Sequence, residues 1–210
     1  PNNGPYLDAT TILLIATWID EGALETPAVD ETDLFFSEYA EGSSNNKYLE
    51  IYNSSGASVD LSAYSISTCN NGCDAAGEFD YPDNVTFAAG TVLADGDVYV
   101  ICHGSASDEI SAECDQTFTY LSNGDDFQAL TLAGATASSY TVIDQVGDWG
   151  DDPGNGWDVA GVTNATFNHT LVRKSTITSG NTDWSASAGT TTDNSDWIVY
   201  DQNYFGNLGF

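Results

Sequence analysis

Residues 33–53, DLFFSEYAEGSSNNKYLEIYN, hold two runs of aromatic and branched residues separated by a turn rich in Gly, Ser and Asn. In an extended KYLEIYN segment, Leu49 and Ile51 share one face and Glu50 lies on the other, because strand side chains alternate. Two short strands joined by a turn are therefore predicted here.

The same pattern continues to the end of the chain. Further runs rich in Val, Ile, Tyr, Phe and Thr alternate with Gly, Asn and Asp, and no segment of helical length keeps a 3.6-residue period. This predicts an all-β sandwich. The segment DVYVICHG is apolar on both faces, which predicts a strand covered on both sides. The predicted core residues are Leu49, Ile51, Val98, Val100, Leu130, Val142, Leu171 and Val199.

The charge balance is extreme: 32 acidic residues against three basic ones give a formal net charge of −29. Such a chain does not attract a nucleic-acid backbone, so no nucleic-acid partner is expected. A hydrophobic content of 41% predicts a folded interior. Repulsion between the acidic side chains then predicts that salt or bound cations stabilise the folded chain. The alternative is that the acidity merely keeps a secreted protein soluble.

The N-terminal part differs in pattern. Residues 1–32 hold TTILLIATWID, predicted as one extra β-strand, and then an acidic linker, so the main domain is placed at 33–210. This strand either adds to its own sheet or is donated to the next copy, which would build filaments. The donor residues would be Ile12, Leu13, Leu14 and Ile15. No apolar run approaches the ~20 residues of a transmembrane helix, so no membrane span is predicted.

The four cysteines form two local pairs, Cys69 with Cys73 and Cys102 with Cys114. Three connectivities are open, and nearness in sequence favours these two pairs. Four thiols that bind zinc, or free thiols in a reducing compartment, are the alternatives. Disulfides would indicate an extracellular or cell-surface protein.

Several segments resemble the lamin-tail domain of bacterial secreted proteins: FFSEYAEGSSNNKYLEIYNSSGASVDLSAYSI, FAAGTVLADGDVYVICHG, SNGDDFQALTL, VIDQVGDWG, and the closing GNGWDVAGVTNATFNHTLVRKSTITSGNTDWSASAG and DWIVYDQNYFGNLGF. The resemblance spans about residues 33–210. It implies an immunoglobulin-like β-sandwich without a catalytic set of its own. Members of the family often stand beside extracellular nuclease or phosphoesterase domains, or in surface proteins.

Acidic loops are the candidate metal ligands. Calcium takes six to eight oxygen ligands, and Asp residues interleaved with Gly can surround such an ion. The spacing is not that of an EF-hand, and a solvated acidic loop or a simple hairpin turn is the alternative. The predicted calcium ligands are Asp125, Asp126, Asp144, Asp148, Asp151, Asp152 and Asp158.

Trp149 and Trp157 lie in the same Gly- and Asp-rich loop, where exposed indoles would stack on a glycan, although packing is the commoner role of aromatic residues. Lys47 is expected to form an exposed ion pair with Glu41 or Glu50. The chain has two histidines and no hydrolase, metalloprotease or nucleotide-binding motif, so it is not expected to be an enzyme.

Together these features predict a non-catalytic extracellular structural or adhesive module, stabilised by calcium and self-assembling into surface filaments by strand donation. Its partners would be further copies, other extracellular proteins or the matrix. The alternatives are an accessory domain of a secreted nuclease or phosphoesterase, and a calcium-assisted glycan-binding domain.

Overall fold

The structure, a computed structural model, describes residues 19, 34–150 and 152–210. The predicted donor residues, Ile12 to Ile15, and the predicted ligand Asp151 lie outside these residues. The fold below is that of residues 34–210.

The described strands are β1 (Leu34–Glu41), β2 (Lys47–Asn53), β3 (Val59–Asp60), β4 (Tyr64–Cys69), β5 (Tyr81–Thr86), β6 (Val92–Leu93), β7 (Val98–Cys102), β8 (Gln116–Thr117), β9 (Phe127–Leu132), β10 (Val142–Val146), β11 (His169–Arg173) and β12 (Trp197–Asp201). Two short helices, α1 (Asp108–Glu113) and α2 (Trp184–Ala188), and a 3₁₀ turn at Leu61–Ala63 connect them.

Two large sheets make the sandwich. One has the strand order β12-β11-β1-β2-β7-β8 and the other the order β10-β9-β4-β5, while β3 and β6 pair separately. All pairs are antiparallel except β7 with β8. Side chains from both sheets share one hydrophobic core. The prediction of an all-β, immunoglobulin-like sandwich is confirmed.

The first hairpin sets the register of the large sheet. β1 pairs with β2 from Leu34 opposite Asn53 to Glu41 opposite Lys47. The turn between them is closed by a 2.8 Å hydrogen bond from the Gly42 N–H to the Asn46 carbonyl. A Cβ atom at Gly42 would lie only 2.5 Å from that carbonyl oxygen, so glycine is required there.

A β-bulge in β1 decides which side chains face outward. Phe36 lies opposite Ile51 and Glu38 lies opposite Glu50, so Ser37 is an extra residue in β1. Because side chains alternate along a strand, the extra residue directs Glu38 away from the core that Phe36 occupies.

The predicted core is largely correct. Five of its eight residues are buried: Leu49, Ile51, Val100, Leu130 and Leu171. Val98, Val142 and Val199 are half-buried instead. As predicted, β7 is covered on both sides.

On the inner side of β7, Ile101 packs in the core between the sheets. On its outer side, Val100 and Cys102 pack in a second cluster with Ile110 of α1 and Leu208 near the C-terminus. The helix and the C-terminal segment therefore form a partial third layer.

Both disulfides form with the pairing that sequence nearness favours, Cys69 with Cys73 and Cys102 with Cys114. The first closes the loop after β4, and the second joins the end of β7 to the residue after α1. All four sulfur atoms are used in this way, so no thiol is left for a zinc site.

A buried ion pair joins the two sheets. Asp144 of β10 accepts hydrogen bonds from the Arg173 guanidinium of β11 and from the backbone N–H groups of Phe36 (2.8 Å) and Asn181 (2.9 Å). Arg173 also donates from Nε to the Phe36 carbonyl at 3.1 Å and lies 3.9 Å from the ring of Trp197. The two charged side chains are 0% and 2% exposed.

We expect Asp144→Asn to lower the free energy of unfolding by about 3–5 kcal/mol, because it leaves the buried Arg173 charge without its counter-ion. Urea denaturation measures this loss. The matched control is Asp196→Asn: Asp196 is 3.7 Å from the same guanidinium but more exposed, so its loss should stay below about 1 kcal/mol. Equal losses in the two variants would contradict a dominant role for Asp144.

Candidate functional site

Two glutamates face each other on the outer side of the six-stranded sheet. Glu38 of β1 and Glu50 of β2 are direct cross-strand partners, and they are 2% and 0% exposed. Like charges in this position destabilise a sheet, and burial of a carboxylate adds a desolvation cost. The pair therefore lowers the stability of the fold, which suggests that it serves another role.

The two carboxyl groups are unequally satisfied. Glu50 accepts 2.7 Å hydrogen bonds from the Ser37 hydroxyl on one oxygen and from the Gly209 N–H on the other. Glu38 accepts one 2.6 Å bond, from the Tyr48 hydroxyl to Oε2. Its other oxygen, Oε1, accepts none from the residues that the structure describes.

Burial changes the protonation of both groups. Desolvation raises the pKa of Glu38 from 4.5 to about 8, with a further rise from the charge of Glu50 and an opposing effect of the Tyr48 bond. Desolvation also raises the pKa of Glu50, to about 6, against the effect of its two hydrogen bonds. At neutral pH, Glu38 is therefore mostly a neutral acid beside a largely ionised Glu50.

These carboxyl groups lie at a cleft of about 450 Å³, the carboxyl cleft, which is bounded by Phe35, Tyr52, Val172 and Ile177 as well as by polar groups. The Phe35 and Tyr52 rings lie side by side with their centroids 5.5 Å apart. The C-terminal segment forms part of the rim. The cleft thus combines apolar walls with two acidic groups, as small-ligand sites commonly do.

Lys47 lies at one end of the sandwich, and its ammonium group has three partners within the fold. Its ammonium is 3.1 Å from Glu41 Oε1, and it donates to the Ser122 carbonyl (3.0 Å) and to Asn123 Oδ1 (2.7 Å). The structure selects Glu41 over Glu50 as its partner. The expectation of an exposed pair is wrong, because the loop at Ser122 covers both side chains, which are 9% and 7% exposed.

The other two basic residues are also used inside the fold. Arg173 pairs with Asp144, and Lys174 donates to the carbonyl oxygens of Thr192 and Ser195. All three basic side chains of the chain therefore have internal partners. Repulsion between the exposed carboxylates is therefore left to the salt of the medium to screen.

Most predicted calcium ligands that the structure describes have local structural roles. Asp126 accepts from the N–H groups of Asn71 and Asn123, both at 3.0 Å, and so fixes the turn before β9. Asp148, Asp152 and Asp158 each accept one backbone hydrogen bond within their own loop.

Asp144 differs from the other predicted ligands because protein donors occupy both of its oxygens. Asp125 agrees better with the predicted calcium site, because other carboxylates lie near it. Burial raises the pKa of Asp125, and the charges of Asp126 and Asp152 raise it further. Nevertheless, within residues 34–150 and 152–210 no three acidic, histidine or cysteine side chains are grouped closely enough to hold a metal ion. With Asp151 outside these ranges, the calcium site stays a prediction.

Both tryptophans of the glycan hypothesis pack against the sandwich. Trp149 contacts the rings of Phe79, Phe127 and Tyr140, with centroids 4.6, 4.7 and 5.3 Å away. Trp157 covers Gly147, where a Cβ atom would lie 2.8 Å from the indole. Each ring is half-buried, and glycan contact through the remainder stays a prediction.

The two imidazoles serve local turns. His103 Nδ1 accepts from the Ser105 N–H at 3.0 Å, and His169 Nδ1 lies 2.7 Å from the Phe167 carbonyl. Sequence reasoning missed the Glu38 and Glu50 pair, although one signal was available. Each glutamate is flanked along its strand by aromatic and aliphatic residues, Phe36 and Tyr39 around Glu38, and Leu49 and Ile51 around Glu50.

The fold and its two disulfides define the class: an immunoglobulin-like β-sandwich module. The chain matches the family described as Lamin Tail Domain over residues 27–150 and belongs to that family. The match ends before β11 and β12, whereas the resemblance was expected to continue to residue 210. These two strands nevertheless complete the six-stranded sheet beside β1.

No curated protein matches the chain. Among the helices that the structure describes, none is long and apolar enough to cross a membrane.

We expect Glu38→Gln to stabilise the protein increasingly as the pH rises. The pKa of Glu38 is higher in the folded state than in the unfolded chain, so the wild type loses stability between pH 4.5 and about 8. Glutamine, which cannot ionise, avoids this loss. Urea denaturation at pH 5 and pH 8.5 should show the advantage of the variant growing by about 2–4 kcal/mol.

The control is Glu109→Gln on the exposed face of α1, which removes the same charge from the surface. Its stability difference from the wild type should change little between the two pH values. A pH-independent difference for Glu38→Gln would show that the carboxyl group ionises normally.

Proposed function

We propose that the protein is a non-catalytic extracellular module with a structural or adhesive role, held to its partners by cations at an acidic surface. The observation that carries this proposal is the internal use of Lys47, Arg173 and Lys174. With a net charge of −29, the surface is left acidic throughout. Exposed carboxylates occur on several loops and on α1: Asp74, Asp95, Asp97, Asp108, Glu109, Asp193 and Asp201.

Such a surface repels its own copies unless cations intervene. Monovalent salt screens the repulsion within a Debye length of about 8 Å at physiological ionic strength. Divalent calcium can in addition be shared between carboxylates, which turns repulsion into a bridge. We therefore assign calcium the role of stabilising the module and its contacts, with Asp125, Asp152 and Asp151 as the first residues to examine.

An extracellular location is supported by the two disulfides, which persist in oxidising compartments. The lamin tail family supplies an immunoglobulin-like scaffold, which suits binding through its surface and loops.

Self-assembly by strand donation is the finer part of the proposal. The strand Ile12 to Ile15 would add to a sheet edge of the next copy. Of the two edge strands β5 and β12, β12 is the better acceptor for the donated strand. β5 carries Pro82, which cannot donate a ladder hydrogen bond, whereas β12 exposes Ile198.

Calcium should raise the melting temperature more than sodium chloride does at the same ionic strength, because it binds between carboxylates rather than only screening them. Thermal unfolding followed by circular dichroism measures this. An excess of EGTA should remove the extra stabilisation. If both salts act equally at matched ionic strength, the role assigned to calcium is wrong.

Negative-stain electron microscopy of the full chain with calcium should show ordered fibres that fray after chelation. The variant Leu13→Asp with Leu14→Asp should form none, because charges prevent the strand from entering a neighbouring sheet. Ala23→Asp with Ala28→Asp adds the same charges in the linker and should still assemble. Dispersed monomers with and without calcium would contradict self-assembly.

A further inference from the structure

The two glutamates of the carboxyl cleft form no ion pair with a basic side chain of the described residues. Every charge that shifts the pKa of its two glutamates is acidic: each is affected by its neighbours Glu50, Asp115 or Glu113. Arg173 and Lys174 border the cleft, but their charged groups are bound elsewhere, as described above. Once both carboxyl groups are ionised, a counter-ion from outside would stabilise the buried pair.

We propose that the carboxyl cleft binds an alkylammonium group, supplied by a lysine side chain of a partner protein. Glu38 Oε1 is the acceptor assigned to the ammonium, and Glu50 supplies a second negative charge directly opposite it. The inference deepens the proposed function and rests on it for the choice of a protein as the source of the cation.

The walls of the cleft favour an organic cation over a metal ion. Phe35, Tyr52, Val172 and Ile177 present rings and aliphatic groups, against which the methylene stem of a lysine would pack. An aromatic face also attracts an ammonium group. Calcium takes six to eight oxygen ligands, and among the described residues no three acidic, histidine or cysteine side chains are grouped closely enough to hold a metal ion.

Glu38 has one carboxyl oxygen, Oε1, that accepts no hydrogen bond from the described residues. Glu38 is 2% exposed, and among the described residues only the Tyr48 hydroxyl donates to it, at Oε2. An ammonium group has three N–H donors, and Glu38 Oε1 can take one of them. The other titratable groups that interact electrostatically with the pair are Tyr204, Glu113 and Asp115, which bring no positive charge.

Binding then involves a proton balance. Near neutral pH, Glu38 is mostly protonated, so its carboxylic acid releases one proton to the buffer as the ammonium arrives and an ion pair forms. The affinity should therefore increase about tenfold per pH unit as the pH rises toward 8, and level off above pH 8.

The test uses n-butylammonium, the cation of a lysine side chain, titrated into the full chain by calorimetry at fixed ionic strength. At pH 7, measurements in phosphate and in MOPS should give different heats, since the two buffers differ in ionisation enthalpy and about one proton is released per ligand bound. Glu38→Gln should weaken binding at least tenfold, while Glu109→Gln should bind as the wild type does. Neutral n-butanol should not compete.

A second variant blocks the cleft without changing either glutamate. Ile177→Arg places a guanidinium at the wall of the cleft and should abolish butylammonium binding while the circular dichroism spectrum stays unchanged. Equal binding by Glu38→Gln and Glu109→Gln, equal heats in the two buffers, or displacement of butylammonium by calcium at matched ionic strength would each overturn the proposal.

The source of the cation is tested with a short peptide, acetyl-Gly-Lys-Gly-amide, and its Nε-acetylated form. Binding of the first and not of the second supports a lysine of a partner protein. Binding of butylammonium without binding of the lysine peptide would overturn that source. Calcium-dependent fibres in a protein that binds no butylammonium would overturn this inference alone and leave the proposed function standing.

Discussion

The ion pair between Asp144 and Arg173 is the interaction on which the arrangement of the two sheets depends. Asp144 stands on β10 of one sheet and Arg173 on β11 of the other, and both also bind the backbone of Phe36 in β1. Desolvation makes such a pair expensive unless its remaining hydrogen-bonding groups are satisfied, and here backbone groups and a serine hydroxyl supply those partners. The pair thus fixes the position of β1 next to its bulge.

The bulge in turn creates the carboxyl cleft. With Ser37 as an extra residue, Glu38 faces outward and meets Glu50, while Phe36 and Tyr39 remain in the core. The protein therefore keeps two carboxyl groups in a place where apolar residues would stabilise it more. A burial cost of this kind is common at ligand sites, where groups are held ready for a partner at the expense of stability.

The distribution of basic residues connects the interior with the surface. A chain with three basic and 32 acidic residues could expose its basic side chains and so reduce the negative charge of its surface. The fold instead engages all three in internal contacts. Lys47 holds the loop at Ser122, and Lys174 holds the carbonyls before β12. The net charge of the surface is consequently strongly negative, and the proposed contacts of the module would depend on cations in the medium.

The sequence by itself determined the all-β class, the strand alternation that buries Leu49 and Ile51, and the acidic net charge, because these follow from composition and from spacing within a few residues. It favoured the two local disulfides without deciding between the three possible connectivities. Only the tertiary structure decided the rest. Asp144 reads as one more acidic loop residue until the fold brings it to Arg173, 29 positions away. Glu38 reads as sharing the face of Phe36 until a one-residue bulge turns it toward Glu50. Such pairings depend on register and long-range packing, and no local pattern encodes them.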